Sequence, residues 1–421
     1  MSRISITSIY KVIFILYIGF WMTTLKFSWN LTYVSTICNA AIFMLAGAVI
    51  LRGLVNSKFD VGSWMLLFLA SSIVLVSFAN MFVNWSLLAL TQVLSYILPW
   101  LILIMVVTNQ ETSVKAYKLF WRWFNNFFVI ICLFGLCEYV LVYTLGYRPP
   151  IMELNTGMGD YYVGYFTLFQ KIVGLDIPYF RFQGPLGESG DLAMWTSVLL
   201  VYNLLRKQYI YSTILLVAMF AAYSPSIIIA LFVSFVCYVW SRSNLMALVL
   251  LLLAFFTALI LYNDIAILYD TIMQMKATSL AERVDGVNAF FNALPFLLNS
   301  YPFGIPFFTE TAEKVASGIG FSGVYGPIPS YEIGGVIAFL AHLVLLFYFL
   351  LLSIHKIFLT KVSLIENELY MYYLMMLPYV FQRQGFFEYA LSAFLFAPIF
   401  FAKVDMSRVY DEFKKSRDVT V

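Results

Sequence analysis

The sequence predicts an all-α fold, a polytopic integral membrane helix bundle of about twelve spans with two long outward-facing loops. Three observations predict it: a composition too apolar for water, a series of apolar runs of spanning length, and a one-sided distribution of lysine and arginine. Of 421 residues, 62% are hydrophobic and 11% charged, with a mean hydropathy of +0.88. A soluble chain carries about a quarter charged residues, so polar surface here is too scarce to keep the fold in water. Unsatisfied backbone groups are so costly in hydrocarbon that long apolar runs must cross as helices. The alternation over about ten residues that marks a membrane β-barrel is not visible.

Taking about 17 to 25 apolar residues as one crossing, the first span covers residues 10–26. Arg3 and Lys11 precede its apolar body and no small-residue cleavage site follows, so it reads as a retained span rather than a signal peptide. Four more follow at 31–51, 62–80, 85–107 and 119–145. The middle group lies at 190–206, 209–223, 225–241 and 244–262, where the two runs flanking Ser224-Pro225 also read as one broken element. The last three are 332–354, 367–382 and 386–402. Cys38, Cys132, Cys137 and Cys237 all fall inside apolar runs, which marks them as small core residues rather than a disulfide framework or a metal site.

With the N-terminus inside, the outer segments hold only Lys26, Arg148, Lys171, Arg181, Lys276, Arg283, Lys314 and Arg383 of the 25 basic residues. Short outer connections contain just Lys26 and Arg383. The positive-inside rule therefore predicts that both termini are cytoplasmic. Residues 146–189 and 263–331 become long outer segments, and loops of this length are usually functional. The first interleaves aromatics (Tyr161, Tyr162, Tyr165, Phe166, Phe169, Tyr179, Phe180, Phe182); the second carries a helical stretch near 279–298, then Pro302-Phe303-Gly304. No internal repeat relates the two halves, which weakens a transporter reading.

Chemistry-bearing residues gather in these outer segments. In YFRFQGPLGESGDLAMW, Arg181 precedes Glu188 and Asp191 at the mouth of a span. One reading is an interfacial salt-bridge cluster, with carboxylates favoured by the helix N-terminus. The other is an arginine gripping phosphate through forked hydrogen bonds, beside a carboxylate that accepts a proton. Arg283 stands among Ser279, Glu282 and Asp285, although Ser279 with Glu282 also fits a helix-capping box. Arg383, in FQRQGFFEY, occupies a tight outer turn against the charge bias. Glu138 is an acid within a span, open to a functional reading or to a bond with a neighbouring helix.

Other signals are weaker. His342 and His355, the only histidines, lie inside a span and on the cytoplasmic side. The glycine pattern in GIGFSGVYG lacks a preceding strand and does not mark a nucleotide site. There is no cysteine–histidine metal cluster and no phosphate-binding loop.

Four passages carry a family resemblance: RFQGPLGESGD, SLAERVDGVNAFF with NSYPFGIPF, GPIPSYEIGGVIAFL, and AAYSPSIIIALF. Together they resemble the O-antigen polymerase and ligase superfamily, whose members are polytopic glycosyltransferases acting on undecaprenyl-diphosphate-linked sugars. Ser189 stands where relatives often have proline after the acid, and the outer-loop histidine typical of ligases is lacking, which tilts the resemblance toward polymerase. It implies a GT-C-like membrane fold in the bacterial cytoplasmic (inner) membrane and polymerisation of lipid-linked repeat units at its outer face. Ligase and lipid-linked oligosaccharide flippase are the alternatives, with a non-enzymatic scaffold behind them. On this resemblance Arg181 and Arg283 hold the diphosphates, and Glu188 accepts the hydroxyl proton, with Asp191 second. Arg383, Arg148, Glu282 and Tyr179 are further substrate-binding positions, and the loop aromatics stack on sugars. It calls for no metal or cofactor. Expected partners are undecaprenyl-diphosphate-linked glycans, the lipid bilayer and a polysaccharide chain-length regulator, with no nucleic acid.

Overall fold

A computed structural model describes residues 6–21, 32–56, 61–83, 87–145, 152–156, 159–172, 179–184, 189–222, 226–242, 285–305, 328–359, 368–382 and 390–396, with residues 249 and 252. Among them, helices run in the order α1 (Ile6–Trp21), α2 (Thr32–Asn56), α3 (Val61–Val83), α4 (Leu87–Thr108) and α5 (Gln110–Leu145). A four-stranded sheet follows, then α6 (Ser189–Leu205), α7 (Tyr209–Ala222), α8 (Ser226–Arg242) and α9, residues 285–300. The chain continues with α10 (Ile328–Ile354), a π-helical turn His355–Leu359, α11 (Glu368–Gln382) and α12 (Ala390–Phe396).

The apolar runs of the sequence thus mark helices, and those at 119–145 and 332–354 mark incomplete ones. α5 starts nine residues before 119, at Gln110. Its charged first turns stay helical because Glu111 and Lys115 pair at 2.8 Å, while Ser113, Val114, Ala116 and Tyr117 turn inward. The expected run 244–262 lies outside the described residues but for 249 and 252. Four helices among the described residues are long and apolar enough to cross a membrane: Ile37–Val55, Ser63–Phe82, Gln110–Val142 and Ile328–Phe358. All four cysteines are free; Cys132 and Cys237 are buried as the sequence implied, but Cys137 is exposed.

The all-helical expectation needs one amendment. Residues 146–189, read as an aromatic-rich loop, contain the strands β1 (Met152–Thr156), β2 (Gly159–Val163), β3 (Leu168–Ile172) and β4 (Tyr179–Gly184). They form an antiparallel meander in chain order, with Tyr161 opposite Gln170 and Gln170 opposite Arg181. Five or six residues per strand give too short an alternation to stand out from interleaved aromatics.

The chain divides into two compact units. One comprises residues 1–67, 94–231 and 387–421. Its core is aromatic: Phe14 stacks on Phe120 at 4.3 Å, Trp121 on Tyr202 at 5.7 Å, and Phe394 meets Tyr10, Phe14 and Phe120 edge-on. Several polar groups inside this core bond the backbone or one another. Tyr10 donates to the Met105 carbonyl at 2.8 Å, Trp121 to the Leu395 carbonyl at 2.8 Å, and Asn125 and Asn203 exchange amide bonds. Residues 190–200 of α6 are buried on every side.

The other unit, residues 68–93 and 232–386, is organised around a break in α10. Gly335 adopts φ 62°, ψ −155°, and Gly334 is non-helical beside it. In an unbroken helix the Val336 N–H would bond the Glu332 carbonyl. Instead Val336 donates to the Pro302 carbonyl at 3.1 Å, and Glu332 accepts from the Ile305 N–H at 2.9 Å. The Pro302-Phe303-Gly304 turn is thereby spliced into the helical ladder. Asn80 of α3 completes the splice, its amide donating to the carbonyls of Ile333 at 2.9 Å and Ile305 at 3.2 Å.

Beyond the break the first segment of α10 folds back. Ser330 Oγ lies 2.6 Å from Nδ1 of His342, twelve residues on, whereas a straight helix would separate them by about 18 Å along its axis. Phe290 of α9 closes the bend against Tyr331 and Phe339.

Glycine is required at the splice. A Cβ on Gly335 would overlap the Pro302 carbonyl oxygen, in a backbone conformation that L-residues rarely adopt. Gly335→Ala should therefore lower stability by about 1–3 kcal/mol or more, read as a lower thermal unfolding midpoint of the detergent-solubilised protein. Gly47→Ala, in open space within α2, serves as the control and should not lower it. Equal midpoints for the two variants would contradict the splice.

Candidate functional site

The sequence singled out the passage from Arg181 to Asp191, and its surroundings begin with Glu138. On α5, Phe134, Gly135, Glu138 and Tyr139 recur at three- and four-residue spacing and so share one side of the helix. The sheet docks there. Tyr139 stacks on Phe169 of β3 at 6.0 Å and meets Phe182 of β4 edge-on at 5.7 Å. Val163, Phe169 and Phe182 are fully buried. Gly135 lets the sheet approach: a Cβ there would sit 3.1 Å from Thr167 and 3.2 Å from the Phe182 ring.

Glu138 fixes the turn between β2 and β3. Its carboxylate accepts the backbone N–H groups of Tyr165 at 2.7 Å, Phe166 at 3.0 Å and Thr167 at 3.2 Å. Gly164 donates to the Thr167 carbonyl at 2.8 Å, closing the turn. Where the sequence offered a bond to a neighbouring helix, the structure has the carboxylate bonded to the backbone between two strands. A carboxylate that accepts three N–H groups has a structural task.

From this anchored sheet β4 carries Arg181, opposite Gln170, toward α6. The strand ends at Gly184, φ 58°, where a Cβ would lie 2.8 Å from a methyl of Leu192. The strand's end therefore packs directly on the first turns of α6. Asp191 occupies the first turn of that helix and is buried. Its negative charge sits where the helix macrodipole favours it. An arginine-bearing strand thus leads within ten residues to a carboxylate at the head of a helix that is buried over residues 190–200.

Comparison with family models, curated proteins and solved structures finds no match to this chain.

The remaining predicted positions divide by location. Tyr179 opens β4, where it pairs with Ile172. Glu188, Arg148, Glu282, Arg283 and Arg383 lie outside the described residues; α9 begins two residues after Arg283, at Asp285. Among the described residues, no group of three or more His, Cys, Asp or Glu is arranged to hold a metal ion. The second unit adds features that the sequence alone did not bring forward: the buried Ser330–His342 pair and the Asn80 clamp, with Glu332 beside them. GPIPSYEIGGVIAFL offered the glycine pair as a signal, but nothing local announced its partners near 80 and 302.

Removing the Glu138 carboxylate leaves three N–H groups without their charged acceptor. Hydrogen bonds to charged groups are worth about 1.5–3 kcal/mol each in such settings. Glu138→Ala should speed amide hydrogen exchange at residues 165–167, while Glu138→Gln, which keeps one acceptor oxygen, should fall between alanine and wild type. Unchanged exchange in the alanine variant would contradict the anchoring role.

Proposed function

We propose that this chain is a glycosyltransferase that polymerises undecaprenyl-diphosphate-linked oligosaccharide repeat units into O-antigen or a related surface polysaccharide. It works at the outer face of a bacterial cytoplasmic membrane, through about twelve spans in a GT-C-like arrangement with both termini cytoplasmic. The observation that carries this reading is the junction of β4 and α6. A strand paired with β3 bears Arg181, and the helix it packs against opens with the buried carboxylate of Asp191.

The chemistry asks for these parts. A hydroxyl of one lipid-linked repeat attacks the anomeric carbon of another chain, a new carbon–oxygen bond forms, and the bond to the diphosphate breaks. The hydroxyl proton passes to Glu188, with Asp191 as the second acceptor. Undecaprenyl diphosphate leaves with an added negative charge, and Arg181 and Arg283 stabilise that charge, with Arg383 as a third contact. Preorganised stabilisation of developing charge usually contributes more to catalysis of this kind than any other single effect. Because the diphosphate is already activated, no nucleotide is needed at the outer face. Arg148, Glu282 and Tyr179 complete the substrate contacts.

The test is a gel of surface polysaccharide from cells lacking the gene, complemented with wild type or variants. The null should show a single repeat unit on its acceptor, and wild type should restore the ladder. Arg181→Ala, at normal protein levels, should lose polymer on the order of 100-fold. A ladder restored by Arg181→Ala would overturn the diphosphate role. A null with no repeat units on the acceptor would overturn polymerisation in favour of a ligase or flippase.

A further inference from the structure

The turn between β2 and β3 combines a fixed backbone with exposed aromatic side chains. Glu138 holds three of its N–H groups and Gly164 closes it, yet at its tip Tyr165 is 59% and Phe166 40% exposed. A turn that served only as a connector would be made of small and polar residues.

Phe166 stacks on Phe134 of α5, with centroids 4.9 Å apart and planes at 23°. Phe134 belongs to an exposed apolar stripe along α5 with Ile130, Leu133, Val140 and Leu141, and Cys137 lies in the same run. Their spacing of three and four residues places them on one face. The opposite side of the same turns is buried, at Phe128, Ile131, Cys132 and Val142. α5 is one of the four helices long and apolar enough to cross a membrane, and this stripe is the exposed side it would offer to lipid. Phe166 widens it sideways, and Tyr165 stands next to Phe166. The same two residues carry polar groups on their backbone side, where their N–H groups bond the Glu138 carboxylate. Apolar rings in front of polar groups are the side-chain arrangement that favours the boundary between headgroups and acyl chains.

We infer that the Tyr165-Phe166 turn is a bilayer-interface anchor. Its rings enter the headgroup–acyl boundary beside α5, and Glu138 fixes the turn so that the whole sheet is held at that level. The partner is the lipid surface itself, reached by direct continuity with the lipid-facing stripe of α5. The inference is independent of the polymerase reading and of which membrane face the turn occupies.

The experiment places a nitroxide at Tyr165→Cys in full-length protein reconstituted into vesicles of phosphatidylethanolamine and phosphatidylglycerol. Cys38→Ala and Cys137→Ala remove the accessible native thiols and leave the buried Cys132 and Cys237. Two references bracket the scale: a label on native Cys137, in the lipid-facing stripe, and one at Gln208→Cys, in the exposed turn between α6 and α7. Oxygen should relax the label at 165 more than a water-soluble nickel chelate does, giving an accessibility ratio between those at 137 and 208. A ratio equal to that at 208 would overturn the anchor and leave the turn in water. Relaxation by the chelate that is relieved only when lipid-linked oligosaccharide is added would also overturn it, making the turn a sugar platform. If Tyr165→Cys fails to reconstitute, Phe166→Cys carries the same label and the same outcomes apply.

Discussion

Backbone amides and carbonyls in an apolar surrounding must find partners inside the chain, because water is not there to supply them. Continuous helices meet that demand by themselves. At two described departures from a helix, a buried polar side chain from elsewhere takes over. At the break in α10 the Pro302 carbonyl takes the freed Val336 N–H, and Asn80 brings a donor amide to the carbonyls of Ile333 and Ile305. At the turn between β2 and β3 the exposed groups are N–H, and Glu138 brings an acceptor carboxylate to three of them. The chemical sense matches in each case: a carboxylate could not serve carbonyls at the break.

This division explains what the sequence reveals. Long apolar runs announce helices because hydropathy is a local property summed over a span, and the helices around 62–80, 190–206 and 209–223 were legible to within a few residues. The sheet was not, since Phe180 and Phe182 alternate for only one short strand within a passage already rich in aromatics. The break in α10 left half a signal: Gly334-Gly335 is visible, but the Pro302 and Ile305 groups that replace its missing helical bond lie some thirty residues earlier. Glu138 and Asn80 were equally opaque. A single acid in a span invites a functional reading, and only the fold shows that its partners are backbone amides 27 to 29 residues away. Of the candidate site, the sequence marked Arg181 and Asp191 by charge out of place. It did not disclose that a sheet carries one and an enclosed helix the other.

For the proposed chemistry, this architecture has a consequence. Phosphate-binding arginines act best when their positions are set before substrate arrives. A long flexible loop would spend binding energy on ordering itself. Here the passage bearing Arg181 is a strand hydrogen-bonded to β3, docked on α5 through Tyr139 and packed on Leu192 through Gly184. The same framework ties the sheet to α6, whose first turn holds Asp191. The Glu138 anchor thus supports the part of the chain on which the polymerase reading depends. The broken α10 belongs to the second unit and stands on its own clamp.

The most direct measurement is reconstitution. Purified protein in proteoliposomes is supplied with a single undecaprenyl-diphosphate-linked repeat unit as both donor and acceptor, without nucleotide sugars, ATP or any other protein. A polymerase should yield lipid-linked products of two and more repeats, with undecaprenyl diphosphate released once per bond formed. Recovery of the substrate unchanged, by protein that is folded and membrane-inserted, would contradict the polymerase reading.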